Sequence, residues 1–260
     1  MAKVIAIINQ KGGVGKTTTA VNLSALLGAM GQRVLMIDLD PQGNTTSGLG
    51  MEVDDKSIYE VIMGRMKLTD VMEETEFKNL SIVGSDVRLA NAELELVEVE
   101  KREYRLKTAV QSVQQDFDFI FIDCPPSLGL LTINALGAAD SVLIPIQCEY
   151  YALEGVASLM NTISRVKKTI NPHLEIEGVL LTMLDGRTNL GLQVVDEVKK
   201  HFKKQVYATV IPRSVRLGEA PSHGEPIHVY DKRSAGCVAY VNLAKEILKR
   251  NNIKVKEFKL

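Results

Sequence analysis

The sequence has no tryptophan, only three cysteines and no long apolar run. Cys124, Cys148 and Cys237 show neither a metal-site spacing nor a disulfide framework, which agrees with a reducing compartment. No apolar run approaches the roughly 18–20 residues that a membrane span needs. The first residues enter a predicted strand directly, without the features of a secretory signal. We therefore expect a cytoplasmic protein without a membrane partner.

The composition is typical of a folded domain with a large core. The chain has 260 residues, of which 45% are hydrophobic and 24% are charged, and this balance argues against disorder. No internal repeat, low-complexity tract or linker divides the sequence. We therefore expect one domain over residues 1–260.

The most informative stretch lies between a predicted strand at 3–8, a buried apolar run, and a predicted helix at 17–30. It consists of Lys11, Gly12, Gly13, Val14, Gly15, Lys16, Thr17 and Thr18. Glycines allow backbone N–H groups to turn inward around an anion, and the helix N-terminus adds partial positive charge. The order of strand, loop and helix predicts a phosphate-binding loop. In such a loop Lys16 reaches the β- and γ-phosphates, and the hydroxyl of Thr17 binds Mg²⁺.

This loop departs from the usual pattern G-x-x-x-x-G-K-[ST]. Gln10 stands where the first glycine is expected, and Lys11 adds a second lysine. Downstream, residues 38–44 are Asp-Leu-Asp-Pro-Gln-Gly-Asn. The deviant loop at 9–18 and this second stretch together resemble the ParA/Soj family of chromosome- and plasmid-partitioning ATPases. The resemblance covers nearly the whole chain.

Two acidic stretches follow buried strands. Asp38 and Asp40 come after the predicted strand at 33–37, and their spacing places both carboxylates on one face. Asp123 follows the four apolar residues of the run 118–123, which has the form of a Walker B strand, so we expect it to hold Mg²⁺ through a water. Parallel strands would bring these groups to the ligand-binding edge of the sheet. In the resembled family, the aspartate equivalent to Asp40 activates the attacking water and the one equivalent to Asp38 lies near the Mg²⁺ shell.

The remaining pattern alternates strands and helices. Further strands are predicted at 80–83, 141–146, 176–184 and 206–211, and helices at 57–63, 92–113, 128–138, 152–170, 190–204 and 234–249. Gly84-Ser85-Asp86 is a predicted N-cap. The fold class is α/β: a single-domain P-loop NTPase with about seven or eight mostly parallel strands and helices on both faces.

The resemblance also assigns roles in nucleotide binding. Residues 211–222 resemble the family's adenine- and DNA-side loop, and the adenine contacts fall on Pro212 and Ser214, where the family commonly has asparagine at the second position. The family forms an ATP-bound sandwich homodimer, in which Lys11 of one subunit would reach the phosphates of the other as an arginine finger does. Lys16 with Mg²⁺ would carry the developing charge while Asp40 positions the water.

Charge is distributed unevenly along the chain, although the net charge is only −1. Residues 187–260 hold 15 Lys and Arg against 7 Asp and Glu, a net of +8, and residues 1–186 carry −9. On composition alone, a polyanion partner and solvated lysine-rich helix faces explain this about equally well.

The resemblance to Soj-like proteins implies sequence-independent binding of double-stranded DNA through Arg187 and Arg216. The same basic region contains Lys199, Lys200, Lys203 and Lys204. These lysines end a predicted helix, so the helix dipole explains part of the cluster. Either arginine could instead serve a surface salt bridge. No apparatus for direct base reading is visible, and we expect phosphate-dominated, salt-sensitive binding.

The family resemblance further implies a nucleoid-associated location and a ParB-type centromere-binding partner that stimulates hydrolysis. A MinD-like membrane-associated positioning ATPase is one alternative, but residues 251–260 alternate apolar and polar side chains and make a poor interfacial helix. An iron–sulfur reductase would need two cluster cysteines per subunit at a dimer axis, which the three cysteines do not obviously provide. The third alternative is a nucleotide-gated regulatory scaffold with little turnover, and the presence of Asp40 argues against it.

Overall fold

A computed structural model of the chain describes residues 1–150, 152–153, 155–254 and 258. Within them, one sheet is built from β1 (Lys3–Ile7), β2 (Val34–Asp38), β3 (Met72–Glu74), β4 (Leu80–Val83), β5 (Phe119–Asp123), β6 (Ser141–Gln147), β7 (Glu175–Leu184) and β8 (Val206–Pro212). The strand order is β3-β4-β2-β5-β1-β6-β7-β8. Only β3 pairs antiparallel among these strands, at the edge beside β4. The predicted mostly parallel sheet of seven or eight strands is confirmed.

The helices cover both faces of this sheet. They are α1 (Lys16–Ala29), α2 (Asn44–Gly48), α3 (Ile58–Ile62), α4 (Leu68–Val71), α5 (Leu89–Glu95), α6 (Arg105–Gln111), α7 (Leu130–Ala138), α8 (Val156–Thr169), α9 (Asn189–Phe202), α10 (Val215–Glu219), α11 (Ile227–Tyr230) and α12 (Ala235–Arg250). Short 3₁₀ turns occupy Arg102–Tyr104, Lys203–Gln205 and Ala220–His223.

The alternation of side chains along the central strands divides the core into two layers. On β5, Phe119 and Phe121 face the layer that contains α1 and α12, whereas Ile120 and Ile122 face the layer that contains α3, α6 and α7. All four of these side chains are fully buried. A strand buried on both faces is continuously apolar, which explains why the central strands were recognisable in the sequence.

The predicted helix over residues 92–113 is wrong, because the chain breaks there into α5, a 3₁₀ turn and α6. The side-chain amide of Asn134, on α7, donates to the carbonyl oxygen of Arg102 over 2.9 Å and accepts from the N–H of Leu106 over 3.2 Å. In a continuous helix, that N–H and that carbonyl would bond to each other. Lys101 adopts a left-handed conformation, with φ of 53°, immediately before the turn.

The predicted N-cap at residues 84–86 is also misplaced, because α5 begins at Leu89. Asp86 instead closes a turn by accepting from the N–H of Arg88 over 2.8 Å. The helix predicted at 152–170 begins at Val156, and part of its predicted first turn lies outside the described residues. Much of the carboxyl-terminal stretch 251–260, to which the interfacial-helix prediction refers, also lies outside them.

Candidate functional site

The loop between β1 and α1 is shaped for an anion. Gly13 and Gly15 have φ of 73° and 88°, a region that favours glycine. The Thr182 hydroxyl on β7 donates to the carbonyl oxygen of Val14 over 2.8 Å, which ties the loop to the sheet. Gly15 caps α1 without a side-chain hydrogen bond, so the first N–H groups of this helix are not used by a capping side chain. The loop therefore presents backbone donors and a helix N-terminus to one point.

Two lysines accompany this loop. Lys16 is only 7% exposed, and its Nζ lies 3.5 Å from the carbonyl oxygen of Lys11. Among the described residues, neither lysine has a carboxylate within salt-bridge distance. A buried ammonium without an anion is costly, so the site is built to receive one. Lys11 is half-buried and borders an open cleft together with Ser127 and Gly155.

Asp123 ends β5 next to the loop and is fully buried. Its Oδ2 accepts hydrogen bonds of 2.7 Å from the hydroxyls of both Thr17 and Thr45. Its Oδ1 is buried and has no hydrogen-bond partner among the described residues. Magnesium prefers oxygen ligands and keeps several waters, and this unpartnered oxygen beside Thr17 fits such an ion. The residues present therefore suit Mg²⁺, although no cluster of three acidic, histidine or cysteine side chains that could hold a metal occurs in the described part of the chain.

Asp38 ends β2 and is also fully buried. Its Oδ2 accepts from the N–H and the hydroxyl of Thr46, over 2.9 and 2.7 Å. Its Oδ1 accepts from the N–H of Asp40 over 3.1 Å. Both oxygens thus have protein donors, so Asp38 is placed to fix the chain at Asp40 and offers less to a metal than Asp123 does.

Burial sets the electrostatics of this acidic pair. Desolvation and the neighbouring charge of Asp123 raise the pKa of Asp38 to about 7. Desolvation also raises the pKa of Asp123 to about 6, although the hydroxyls of Thr17 and Thr45 act in the opposite direction. Asp40 is 8% exposed at the same edge, and its Oδ1 accepts from the N–H of Gln42 over 3.0 Å. Asp38, Asp40 and Asp123 therefore lie at the same edge of the sheet as the phosphate loop and its buried lysine.

A cleft of about 230 Å³ continues from the loop toward β8. Gly15 and Thr18 line it from the loop side, and Pro212 and Ser214 line it from the end of β8. Tyr240 on α12 forms part of its floor. The structure thus brings the two residues predicted for adenine next to the predicted phosphate loop.

The six residues predicted to bind DNA do not form one group. Arg187 and Arg216 follow β7 and β8, at the carboxyl edge of the sheet. The lysines lie at and just after the end of α9, near the opposite edge, and they are Lys199, Lys200, Lys203 and Lys204. Because α9 has 14 residues, about 21 Å separates its two ends.

Both arginines have acidic partners in this structure. Arg187 pairs with Asp185 over 2.7 Å, and its hydrogen bonds lower the pKa of Asp185 to about 2. Arg216 pairs with Glu219 over 2.9 Å and with Asp231 over 3.5 Å. Their side chains nevertheless remain 89% and 56% exposed.

Sequence reasoning missed the two threonines of α2, Thr45 and Thr46. The two threonines match no known sequence motif, and the short helix α2 was not predicted from the sequence. The available signal was two hydroxyls just after a pair of aspartates, in a segment that would otherwise be an ordinary turn. All three cysteines are buried and free, and Cys124 is a small core residue. No helix in the described ranges is long and apolar enough to cross a membrane.

Comparison with known proteins gives consistent results. The family model for an AAA domain matches residues 2–176. The sporulation initiation inhibitor protein Soj of Bacillus subtilis is 59% identical over 249 residues, covering 95% of this chain and 98% of Soj. The chromosome partitioning protein ParA of Myxococcus xanthus is 51% identical over 256 residues, covering 98% and 90% of the two chains. The crystal structure of cobyrinic acid a,c-diamide synthase from Mycobacterium smegmatis with bound ADP and magnesium has a TM-score of 0.86 and 38% identity, covering 97% and 96%.

Proposed function

The chain belongs to the ParA/Soj family of partitioning ATPases, and on this basis we propose that it is a Mg²⁺-dependent ATP hydrolase whose nucleotide state controls its binding to DNA. One observation carries the proposal. The buried Lys16 ammonium has no anionic partner among the described residues, and the buried Asp123 Oδ1 near it has no donor. A phosphate chain and its cation complement both groups. The solved neighbour with ADP and magnesium supports this reading.

Nucleotide binding rests on the loop and the adjoining cleft. The N–H groups of residues 12–18 would surround the phosphates, and Lys16 would donate to the β- and γ-phosphates. Pro212 and Ser214 would contact the adenine, since they border the cleft that leads away from the loop. Thr17 and Asp123 would hold magnesium, which neutralises charge on the phosphates when it is bound.

Hydrolysis depends on Asp40. This carboxylate lies just beyond β2, is mostly buried, and is fixed through its own N–H by Asp38. From this position Asp40 would accept a hydrogen bond from the attacking water and orient it in line with the γ-phosphate. Lys16 would stabilise the charge that develops in the transition state.

We extend the proposal to a sandwich homodimer that forms in the ATP state. Lys11 is half-buried at the rim of an open cleft, so its side chain is available to a second copy of the chain. Across such an interface it would contact the phosphates bound by the partner subunit. Dimerisation would then bring two weakly DNA-binding surfaces together, and their phosphate contacts would combine.

DNA binding is assigned to the basic region after residue 186. ATP hydrolysis, stimulated by a ParB-type partner, would release the protein from DNA. Arg187 and Arg216 share the carboxyl edge of the sheet with the nucleotide site, which favours them as the nucleotide-sensitive contacts. The lysines at the end of α9 would add positive charge for DNA binding, but far from the nucleotide site. Binding of this kind places the protein on the nucleoid.

The alternatives fit the molecule less well. The buried cysteines do not form the exposed pair that an iron–sulfur dimer needs. A scaffold without turnover leaves the fixed carboxylate of Asp40 without a role. A MinD-like membrane protein remains the second candidate for the carboxyl-terminal stretch, and an assay on lipid vesicles separates it from the DNA-binding proposal.

The test is DNA binding by the Asp40→Ala variant, which should retain ATP. Retention of unrelated duplexes is measured with ATP, with ADP and without nucleotide, at two salt concentrations. We expect tight, salt-sensitive and sequence-independent binding only with ATP. Absence of DNA binding in every state would overturn the DNA part of the proposal and leave hydrolysis to be tested separately.

A further inference from the structure

Two neighbouring threonines on α2 each hold one of the two buried carboxylates. The Thr45 hydroxyl donates to Asp123 and the Thr46 hydroxyl donates to Asp38, in both cases over 2.7 Å. Both threonines are buried, with 0% and 4% exposure. A short surface helix thus supplies hydroxyls to the centre of the candidate site.

Thr45 and Thr46 differ in whether the carboxylate that each one contacts has another side-chain donor. Asp123 has a second side-chain donor, Thr17, on the same oxygen. For Asp38, Thr46 provides the one side-chain donor among the described residues, and it adds its own N–H. Loss of the Thr46 hydroxyl would therefore leave a buried carboxylate with backbone donors alone.

The hydroxyl of Thr46 also has a defined direction. It accepts a hydrogen bond from the N–H of Ser85 over 3.0 Å, and a backbone N–H can only donate. The single hydroxyl hydrogen is therefore directed to Asp38. The other oxygen of Asp38 accepts from the N–H of Asp40, so a continuous chain of hydrogen bonds runs from Ser85 to Asp40.

Close packing keeps Thr46 in this place. A Cβ added at Gly84 would lie 3.0 Å from Cγ2 of Thr46 and 2.3 Å from a methyl group of Val53. Gly43, just before α2, has φ of 63°, and a Cβ there would lie 3.0 Å from the carbonyl oxygen of Ser85. The end of β4 and the start of α2 approach each other too closely for larger residues, so the helix has little freedom to move alone.

We propose that Thr46 is a positioning residue for ATP hydrolysis, which orients Asp38 so that Asp38 holds the backbone of Asp40 in the geometry needed to direct the attacking water. The inference rests on the proposed function, because it takes Asp40 as the residue that contacts the water. Thr46 itself contacts neither nucleotide nor water in this scheme. Its effect on the reaction passes through two hydrogen bonds.

The test compares Thr46→Val with Thr46→Ser and with a control. Valine keeps the shape and removes the hydroxyl, whereas serine keeps the hydroxyl. Thr75→Val is the matched control, because the Thr75 hydroxyl likewise accepts from a backbone N–H, that of Phe77 over 3.1 Å, but donates to the carbonyl oxygen of Leu80, over 2.8 Å, and not to a carboxylate. It lies at the end of β3, away from the nucleotide site.

The rate constant is measured in single turnovers with protein in excess over labelled Mg–ATP, and nucleotide affinity is measured separately. We expect Thr46→Val to slow hydrolysis by about 10- to 100-fold, the range for a misplaced reacting group, while nucleotide affinity changes by less than about threefold. Thr46→Ser should restore the rate to within about threefold of the native protein. Thr75→Val should lower the melting temperature without slowing hydrolysis.

Three results would overturn the inference: an unchanged rate for Thr46→Val, a loss of affinity that accounts for its slower rate, or a folded Thr46→Ser that remains as slow as the valine variant. If Thr46→Val does not fold, Asp38→Asn decides, because it weakens the same chain of bonds and should also slow hydrolysis at unchanged affinity. Native protein that does not hydrolyse ATP, even with DNA and a ParB-type partner, would instead refute the proposed function.

Discussion

Asp38 and Asp123 lie directly opposite each other on the neighbouring parallel strands β2 and β5, and neither side chain is exposed to solvent. Desolvation raises the pKa values of both, to about 7 and about 6, and the charge of Asp123 adds to the shift at Asp38. The folded, nucleotide-free protein therefore keeps protons at this pair that the unfolded chain has already released.

The first prediction concerns the pH dependence of stability. A raised pKa contributes stability that is complete below the ordinary value of 3.8 and is lost as the pH rises to about 7. Asp38→Asn has no such proton to lose. In nucleotide- and metal-free protein, the free energy of unfolding of this variant, relative to native, should increase between pH 4 and 7 and then level off. Urea denaturation at a series of pH values measures this difference.

Asp86→Asn supplies a control of opposite sign. Desolvation acts to raise the pKa of Asp86, but hydrogen bonds from Arg88 and Ser57 outweigh it, and the pKa is lowered overall. Native protein gains stability from this group as the pH rises, so the variant should lose stability relative to native over the acid range. A relative stability of Asp38→Asn that is flat with pH, while Asp86→Asn behaves as stated, would contradict the first prediction.

The second prediction concerns magnesium at Asp123. Asp123→Asn keeps an oxygen acceptor for Thr17 but removes the charge beside the unpartnered Oδ1. We expect Mg²⁺-dependent ADP binding to weaken about 10- to 100-fold, as is typical when the surroundings of a metal are altered. Calorimetry with magnesium and with chelator separates this loss from binding by the loop.

Asp118→Asn is the matched control for Asp123→Asn. Asp118 precedes the same strand at its amino end, where it pairs with Arg33 over 2.9 Å. Its replacement should leave nucleotide binding unchanged with or without magnesium. Equal magnesium dependence in native protein and Asp123→Asn would remove Asp123 from the metal site.

The sequence was sufficient for those features that follow from local pattern. A phosphate loop is a contiguous motif, and strands buried on both faces are continuously apolar, so residues 11–18 and the central strands could be located without a structure. The clustering of Asp38 with Asp123 followed from parallel strand topology. These parts of the site depend on chain order and periodicity, which the sequence displays.

Features that depend on contacts between segments far apart in the chain could not be predicted from the sequence. The helix predicted over 92–113 is interrupted because Asn134, about 30 residues later in the chain, takes its backbone groups. The roles of Thr45 and Thr46 arise only when α2 folds back onto two strand ends. The separation of Arg187 from Lys200 likewise depends on the direction of α9. The composition of this basic region does not reveal that direction.

The third prediction separates the two lysines of the loop. Lys16 is buried against the loop, so Lys16→Ala should reduce nucleotide binding to an undetectable level. Lys11 is half-buried at an open cleft, so Lys11→Ala should bind nucleotide within about threefold of native but fail to dimerise with ATP. Light scattering in the Asp40→Ala background, with nucleotide affinity measured in parallel, tests both. A dimeric mass for Lys11→Ala with ATP would show that Lys11 is not the residue that joins the subunits.

The fourth prediction asks which of the two basic groups senses the nucleotide. Arg216 shares the carboxyl edge with the nucleotide site, whereas Lys200 lies at the far end of α9 and pairs with Glu197 over 3.5 Å. Arg216→Glu should weaken ATP-dependent DNA retention at least tenfold and reduce the salt slope by about one per lost phosphate contact, with unchanged ATP affinity.

Lys200→Glu is matched to Arg216→Glu in charge change and in having an acidic partner three residues away on the same helix. If the carboxyl edge forms the nucleotide-sensitive contact, Lys200→Glu should weaken DNA binding less, and by a similar factor in the ATP and ADP states. The reverse ranking would place the DNA on the lysine end of α9. Nucleotide binding would then have to influence the DNA contact through α9, because the lysines lie at the end of that helix far from the nucleotide site.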